Sequence, residues 1–416
     1  MRLKNAVKLL PSILFSFSSI LNLGIILLVS IIISFFKVDE VNFGKAIFAL
    51  TLINTITYLN EYGFSETVQV FAVEKKYQKI FAPILKKQFI LNLFWGLLMY
   101  GVAVLSGFTY IESLLLLPCI FYSQLNILIA GLVGLNQKIR AAFYQILMVL
   151  LSLASIFILS FFVKNNFIAA VVGLSIGICA SLAAIIIDYK TQGLLSEANK
   201  LDSKISLFAR NTFWYYVWFL LLSQSDIFFL NYFLGIESVG VYKTIFLIAS
   251  LFKIPAVMIS IPLLSYLSEK LKKSVIKENF AKIKLILKQV FLGFVFFSTL
   301  AIGLIYVFSE AFLNWIYGFE GLKNLMLILA LAAMVEGFNF LIVTFFQALE
   351  KSDIVWKITL FQFCIYFILM IVAARNLYSS AFIMLFAQCL GLICHLCFFL
   401  KYIKSDYTKQ YLTSQS

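Results

Sequence analysis

Charged residues are scarce in this sequence. They occupy 12% of the 416 positions, whereas hydrophobic residues occupy 62%. A soluble domain of this size cannot cover so much apolar surface with so few polar groups, so the composition excludes an ordinary soluble globular protein. It predicts a polytopic membrane protein, in which each crossing uses about 20 apolar residues.

Long polar loops are also missing. Twelve apolar stretches take up most of the chain: 11–36, 43–73, 88–108, 110–135, 141–163, 167–187, 211–234, 240–268, 289–309, 323–349, 355–376 and 378–400. The longest outer connection, around 310–323, is too short for the catalytic loop of a membrane polymerase or ligase. We therefore expect an all-α integral membrane protein that is not an enzyme. Its N-terminal half would be 1–187, its cytoplasmic linker 188–210, and its C-terminal half with a short tail 211–416.

Histidine is nearly absent, and cysteine gives no disulfide framework, because every cysteine falls within an apolar stretch. The six are Cys119, Cys179, Cys364, Cys389, Cys394 and Cys397. The last three accompany the only histidine, His395, in the twelfth span. One helix spreads these four side chains over roughly 240° of its circumference, so they cannot converge on a tetrahedral ion. We expect no metal site and no cofactor.

Basic residues outnumber acidic ones, 33 to 19. If the N-terminus is cytoplasmic, 26 of the 33 basic residues lie in the inner segments, four lie in the outer segments and three lie within spans. This is the positive-inside pattern, and it predicts that both termini are cytoplasmic. Anionic membrane lipids are a sufficient partner for the net charge of +14, so no nucleic-acid partner is expected.

A short repeat relates the two halves of the chain. At an offset of 198, five positions after the turn of the seventh span match five positions after the first span: Glu237, Val239, Lys243, Ile245 and Phe246 fall on Asp39, Val41, Lys45, Ile47 and Phe48. Both halves therefore begin with the same kind of hairpin. Repeats that run in the same direction are typical of transporters.

Ionisable residues inside apolar spans are costly and tend to line cavities. Glu61 lies on a polar stripe of the second span, where Gly63 permits a bend. Asp226 lies deep in the seventh span, and Glu336 repeats the pattern in the tenth. The alternative for such a carboxylate is a hydrogen bond between helices that serves packing alone. For Gln362 and Gln388 we expect such interhelical hydrogen bonds.

Three lysines also lie within spans. Lys45 and Lys243 occupy equivalent places in the two halves, and either could instead contact lipid phosphates at the headgroup layer. Lys253 lies nearer mid-depth, where snorkelling is poor. It is followed by Pro255 and Pro262, which predict a bend or hinge in the eighth span.

Several short motifs carry a family resemblance. They are Gly44, Glu-Tyr-Gly-Phe-Ser at 61–65, Asp-Ile-Phe-Phe-Leu at 226–230, Val-Gly-Val-Tyr at 239–242, Pro-Leu-Leu-Ser-Tyr-Leu at 262–267 and Gln-Ala-Leu at 347–349. With these, the chain resembles the polysaccharide-transporter branch of the MOP exporter superfamily, the Wzx-type flippases. The resemblance implies a MATE-like fold of twelve transmembrane helices in two pseudo-symmetric six-helix bundles, with alternating access to a central cavity.

The resemblance also implies a function. The family's usual substrate is an oligosaccharide repeat unit linked to undecaprenyl pyrophosphate in the bacterial cytoplasmic membrane. Polysaccharide assembly proteins, such as those of O-antigen and lipopolysaccharide biosynthesis, would be further partners. Buried cations suit a pyrophosphate, so Lys45, Lys243 and Lys253 are the candidate substrate-binding residues. Glu61, Asp226 and Glu336 are candidates for a coupling-ion site or for salt bridges that hold one state closed.

Two alternatives remain. A cation-coupled multidrug exporter of the same superfamily would share the fold, but its family usually carries an acidic residue in the first helix, and positions 9–36 contain no charge. A membrane polysaccharide polymerase or ligase would belong to a different class, and it would need a large outer loop.

Overall fold

The computed structural model describes residues 40–74, 80–163, 165–195, 201–273, 276–317 and 320–413, with seven single positions before residue 30. Every regular element in these ranges is a helix. Most of the predicted first span, 11–36, lies outside the described residues. The chain divides into two compact units, Met1–Phe213 and Trp214–Ser416.

The first unit contains seven complete described helices and the start of an eighth. They are α1 (Glu40–Asn60), α2 (Phe64–Phe71), α3 (Phe81–Leu105), α4 (Tyr110–Leu115), α5 (Tyr122–Gly134), α6 (Lys138–Phe162) and α7 (Asn166–Thr191). A 3-10 turn, Leu117–Phe121, joins α4 to α5. The eighth helix, α8 (Ser203–Leu234), begins in this unit and continues in the second.

The second unit contains the rest of α8 and six further described helices. They are α9 (Ile236–Ser250), α10 (Ile254–Lys273), α11 (Ile276–Tyr317), α12 (Lys323–Ala348), α13 (Ser352–Ala373) and α14 (Leu377–Thr413). A 3-10 turn, Leu251–Lys253, joins α9 to α10. The sequence predicts residue boundaries for the two bundles and for the linker between them. These boundaries remain a prediction.

Seven helical segments of the described chain are long and apolar enough to cross a membrane: Phe81–Leu105, Tyr110–Gly134, Lys138–Phe162, Phe167–Thr191, Lys323–Ala348, Ser352–Ala373 and Leu377–Lys401. They coincide with seven of the predicted spans. Large apolar side chains on them face outward, such as Leu97, Phe162 and Val372. A bilayer is the natural solvent for such surfaces, so the chain is a multi-pass membrane protein.

The predicted second span is two helices rather than one. α1 ends at Asn60 and α2 begins at Phe64. Between them Tyr62 and Gly63 both have positive φ angles, 52° and 70°. A left-handed pair cannot continue a right-handed helix, so the chain turns here. The bend that the sequence predicts at Gly63 is confirmed, and it is sharp enough to divide the helix.

The predicted eighth span is likewise divided. α9 ends at Ser250, the 3-10 turn follows, and α10 begins at Ile254. Proline has no N–H group and its ring collides with the carbonyl group four residues earlier, which for Pro255 is that of Leu251. The break therefore lies just before Pro255. No second break occurs at Pro262, because α10 continues through that position.

Close helix packing completes the first unit. A Cβ atom placed on Gly177 of α7 would lie 2.7 Å from the carbonyl oxygen of Met148 in α6 and would overlap the Ser152 hydroxyl. Gly173 of α7 approaches Ile156 of α6 with similar closeness. Small residues allow membrane helices to approach closely, and they do so here for α6 and α7.

Candidate functional site

Glu61 lies in the turn between α1 and α2, and its side chain is 6% exposed. One carboxylate oxygen accepts a hydrogen bond from the Ser65 hydroxyl at 2.5 Å, and the other accepts one from the Asn126 amide of α5 at 2.9 Å. No lysine or arginine of the described chain pairs with this carboxylate. Glu61 therefore joins two elements of the first unit through neutral donors.

The turn that carries Glu61 is held by its surroundings. A Cβ atom on Gly63 would lie 2.6 Å from the carbonyl oxygen of Ala209 and 2.7 Å from the Cβ atom of Thr212. Both the left-handed backbone and the close approach of α8 favour glycine at this position. Beside it, the ring of Tyr62 stacks on that of Phe213, with the ring centroids 4.7 Å apart.

A cation, the ammonium group of Lys87 in α3, lies against the same turn. The ammonium group of Lys87 lies 4.7 Å from the ring centroid of Tyr62 and 5.5 Å from that of Phe64. These are cation–π distances. The sequence places Lys87 only among the inner basic residues and does not indicate this contact.

A buried amide network lies next to Glu61. The side-chain oxygen of Asn92 in α3 accepts hydrogen bonds from Asn60 at 2.7 Å, from Gln88 at 3.1 Å and from Ser123 at 3.4 Å. All four side chains are buried. Sequence reasoning missed this network. The available signal was the pair Gln88 and Asn92, four residues apart and so on one face of an otherwise apolar helix.

Lys253 and Glu336 form an ion pair in the second unit. The ammonium nitrogen lies 2.7 Å from a carboxylate oxygen, and the side chains are 23% and 3% exposed. Lys253 ends the 3-10 turn after α9, and Glu336 lies in the middle of α12. The structure therefore brings together one residue predicted to bind substrate and one predicted to couple ions or to form a gating salt bridge.

A second buried amide network lies in the second unit. One turn after Glu336 on α12, Asn339 donates to the backbone carbonyl of Gln388 at 3.0 Å and to its side-chain oxygen at 3.3 Å. Gln362 of α13 donates to the same side-chain oxygen at 3.3 Å. The interhelical hydrogen bond predicted for Gln362 and Gln388 is confirmed. These hydrogen bonds connect α12, α13 and α14.

Asp226 of α8 is fully buried, as are two tyrosines of other helices in the second unit, Tyr242 and Tyr366. These tyrosines come from α9 and α13. The sequence suggests that Asp226 could pair with Lys243 or with Lys253 in only one state of a transport cycle. In this structure Lys253 pairs with Glu336 instead.

Two of the predicted substrate residues are described by their backbones alone. The backbones of Lys45 and Lys243 lie in α1 and α9, after the starts of those helices. Their side chains lie outside the described residues.

In the twelfth span, His395 contacts the carbonyl group of Gly391 in its own helix at 2.9 Å. No group of three or more metal-binding side chains occurs in the part of the chain that the structure describes.

Comparison with known proteins gives a fold. No family model and no curated protein matches the chain. Solved structures match over almost its whole length. An outward-facing multidrug resistance MATE family transporter of the MOP superfamily has a TM-score of 0.72 at 13% identity, with 95% of this chain and 96% of that chain covered.

Two further structures give the same result. The Vibrio cholerae MATE transporter VcmN in its bent form has a TM-score of 0.75 at 14% identity, with 96% of this chain and 97% of that chain covered. A MATE transporter in complex with MaD5 has a TM-score of 0.75 at 12% identity, with 96% of both chains covered. The chain therefore has the all-helical fold of the MATE transporters, whose twelve transmembrane helices form two bundles.

Proposed function

We propose that the chain is a flippase that moves an oligosaccharide linked to undecaprenyl pyrophosphate across the bacterial cytoplasmic membrane by alternating access. The observation that carries the proposal is Lys253, an ammonium group at the break between α9 and α10 and the more exposed member of its ion pair. A pyrophosphate offers several charged oxygens to such a group. Lys45 and Lys243 are the further proposed substrate residues.

The fold and the sequence both support this proposal. The fold is that of transporters, and the span that would carry an acidic residue in a multidrug exporter has no charge between positions 9 and 36. In the proposed cycle, Glu61, Asp226 and Glu336 bind a coupling ion or form salt bridges in one state. A coupling ion shifts the balance between states only through its different affinity for them.

The second candidate function is a cation-coupled multidrug exporter. The MATE transporters that match the chain favour it, and one of them is described as a multidrug resistance protein. Glu61 favours it as well, since a buried carboxylate whose donors in the described chain are neutral would attract a cationic compound or ion. Lys253 opposes it, since its charge would repel such a compound.

Reconstituted vesicles distinguish the two functions. The protein is incorporated into liposomes with a fluorescent short-chain lipid diphosphate carrying a disaccharide, and transfer between leaflets is measured by protection from an external glycosidase. In parallel, ethidium uptake is measured under an imposed ion gradient. The flippase proposal predicts sugar transfer that Lys253→Ala abolishes and Lys253→Arg partly retains. Ethidium uptake without sugar transfer would contradict the flippase proposal and support the multidrug exporter.

Both termini are proposed to be cytoplasmic, from the distribution of basic residues. Two exposed positions test this orientation. In a cysteine-free background, Glu320→Cys should react with an impermeant maleimide added to intact cells, and Thr191→Cys should react only after the membrane is permeabilised. Labelling of Thr191→Cys in intact cells would reverse the proposed orientation.

A further inference from the structure

The Lys253–Glu336 pair is unequal in its surroundings. Glu336 is 3% exposed, whereas Lys253 is 23% exposed. Lys253 is also the only hydrogen-bond donor to the Glu336 carboxylate in the described chain. The carboxylate is therefore enclosed and depends on one partner, and the ammonium group is the member that a ligand could reach.

Lys253 lies at the break between α9 and α10. The 3-10 turn forms where Pro255 prevents a continuous helix, and Lys253 is its last residue. The C-terminus of α9 and the N-terminus of α10 both lie next to it, so their opposite partial charges offset each other. The backbone position of Lys253 is therefore fixed by the break and does not depend on Glu336.

From these contacts we propose that Glu336 is a built-in counter-ion that occupies Lys253 in place of substrate and sets which anions can bind. The inference rests on the proposed function, because it concerns the same lysine and an anionic cargo. An arriving anion must replace the carboxylate at the ammonium group. Glu336 then loses its donor within a buried site, which is unfavourable for a charged group.

This competition makes the site selective. A singly charged anion makes about the same interaction with Lys253 as the carboxylate that it displaces. It therefore gains nothing that offsets the free energy lost when Glu336 loses its donor. A diphosphate brings more charge and more acceptor oxygens, so its interaction with Lys253 is stronger. Glu336 therefore excludes weak anions and admits diphosphates.

The test compares two ligands with the same hydrocarbon tail, farnesyl diphosphate and farnesyl monophosphate. Dissociation constants are measured by isothermal titration calorimetry on the detergent-purified protein and on Glu336→Gln. The variant should bind both ligands more tightly. The gain should be about tenfold for each ligand, equivalent to about 1.4 kcal/mol, because either anion displaces the same carboxylate from Lys253.

Control variants separate this effect from a general change in charge. Glu320→Gln removes one negative charge from an exposed position and should leave both constants unchanged. Lys253→Met with Glu336→Gln should remove the gain. Glu336→Asp keeps the charge on a shorter side chain and loosens the pair, so it should give an intermediate gain in affinity for both ligands. This variant serves as the test if Glu336→Gln does not purify as a monodisperse protein.

The results that overturn the inference are distinct. Unchanged or weaker binding by Glu336→Gln, or no binding by any form, would show that Glu336 does not compete with anions. If Glu336→Gln tightens anion binding but reconstituted wild-type protein transfers no lipid-linked sugar, the counter-ion stands and the flippase proposal fails. If sugar transfer occurs and the affinities do not change, the flippase stands and the counter-ion fails.

Discussion

The two units of the molecule carry opposite charges at the breaks of their corresponding helices. In the first unit the turn after α1 carries a carboxylate, Glu61, which accepts hydrogen bonds from a hydroxyl and an amide. In the second unit the turn after α9 carries an ammonium group, Lys253, which pairs with the carboxylate of Glu336. The repeated hairpins therefore lead to two chemically different sites.

The difference has an energetic consequence. A buried ion pair is stable only while both members are present, because removing one leaves an uncompensated charge. A carboxylate held by neutral donors leaves no opposite charge behind when it is neutralised. The second site should thus be sensitive to single changes that the first site tolerates.

The largest effect is expected at the ion pair. Lys253→Ala leaves Glu336 buried without its donor and should destabilise the folded protein by about 3–5 kcal/mol. The measurement is unfolding of the purified protein in detergent, followed by tryptophan fluorescence. The double variant Lys253→Met with Glu336→Gln should recover most of the loss. Equal losses in the single and double variants would contradict the ion-pair interpretation.

The next effect tests the close packing at the turn of the first unit. Gly63→Ala forces a side chain into a left-handed conformation, which costs about 1–2 kcal/mol, and into contact with Ala209 and Thr212, which adds about 1–3 kcal/mol. Gly193 is the matched control, with a φ of 69° and open space around it. Gly193→Ala should show only the conformational cost in the same unfolding assay. Equal losses would mean that the close approach at Gly63 has no energetic weight.

The amide networks give a third comparison. Asn92→Ala removes the acceptor that Asn60, Gln88 and Ser123 share, and should cost about 1–3 kcal/mol because buried donors lose a partner. In the second unit, Asn339→Ala removes a donor that contacts a single residue, Gln388, and should cost about 1 kcal/mol. Denaturant unfolding of the two variants side by side measures the difference. A larger loss for Asn339→Ala would reverse the expected order.

The smallest effect is expected at the first acidic site. Glu61→Gln keeps a side-chain oxygen that can accept from Asn126, so its effect on stability should be below about 1 kcal/mol. Glu336→Gln should cost more in the same assay, because Lys253 loses its charged partner. If Glu61→Gln is as damaging as Lys253→Ala, Glu61 does not rely on neutral donors alone and the comparison between the two sites fails.

Much of the fold could be predicted from the sequence. Seven of the predicted spans reappear as apolar helices of the described chain, because bilayer thickness directly sets the length of an apolar run. The breaks at Gly63 and before Pro255 follow from local backbone chemistry, since glycine permits positive φ and proline cannot donate a backbone hydrogen bond. What the sequence did not predict was that each break divides its span into separate helices.

The site could be predicted only in part. The sequence alone predicts that Glu61, Lys253 and Glu336 lie in apolar surroundings, because each is a charged residue within a long apolar run. Their partners follow from the packing of the helices. Lys253 and Glu336 are 83 residues apart, and Glu61 and Asn126 are 65 residues apart. The sequence neighbours of a charged residue indicate whether it is buried, but its partner depends on which helices pack together.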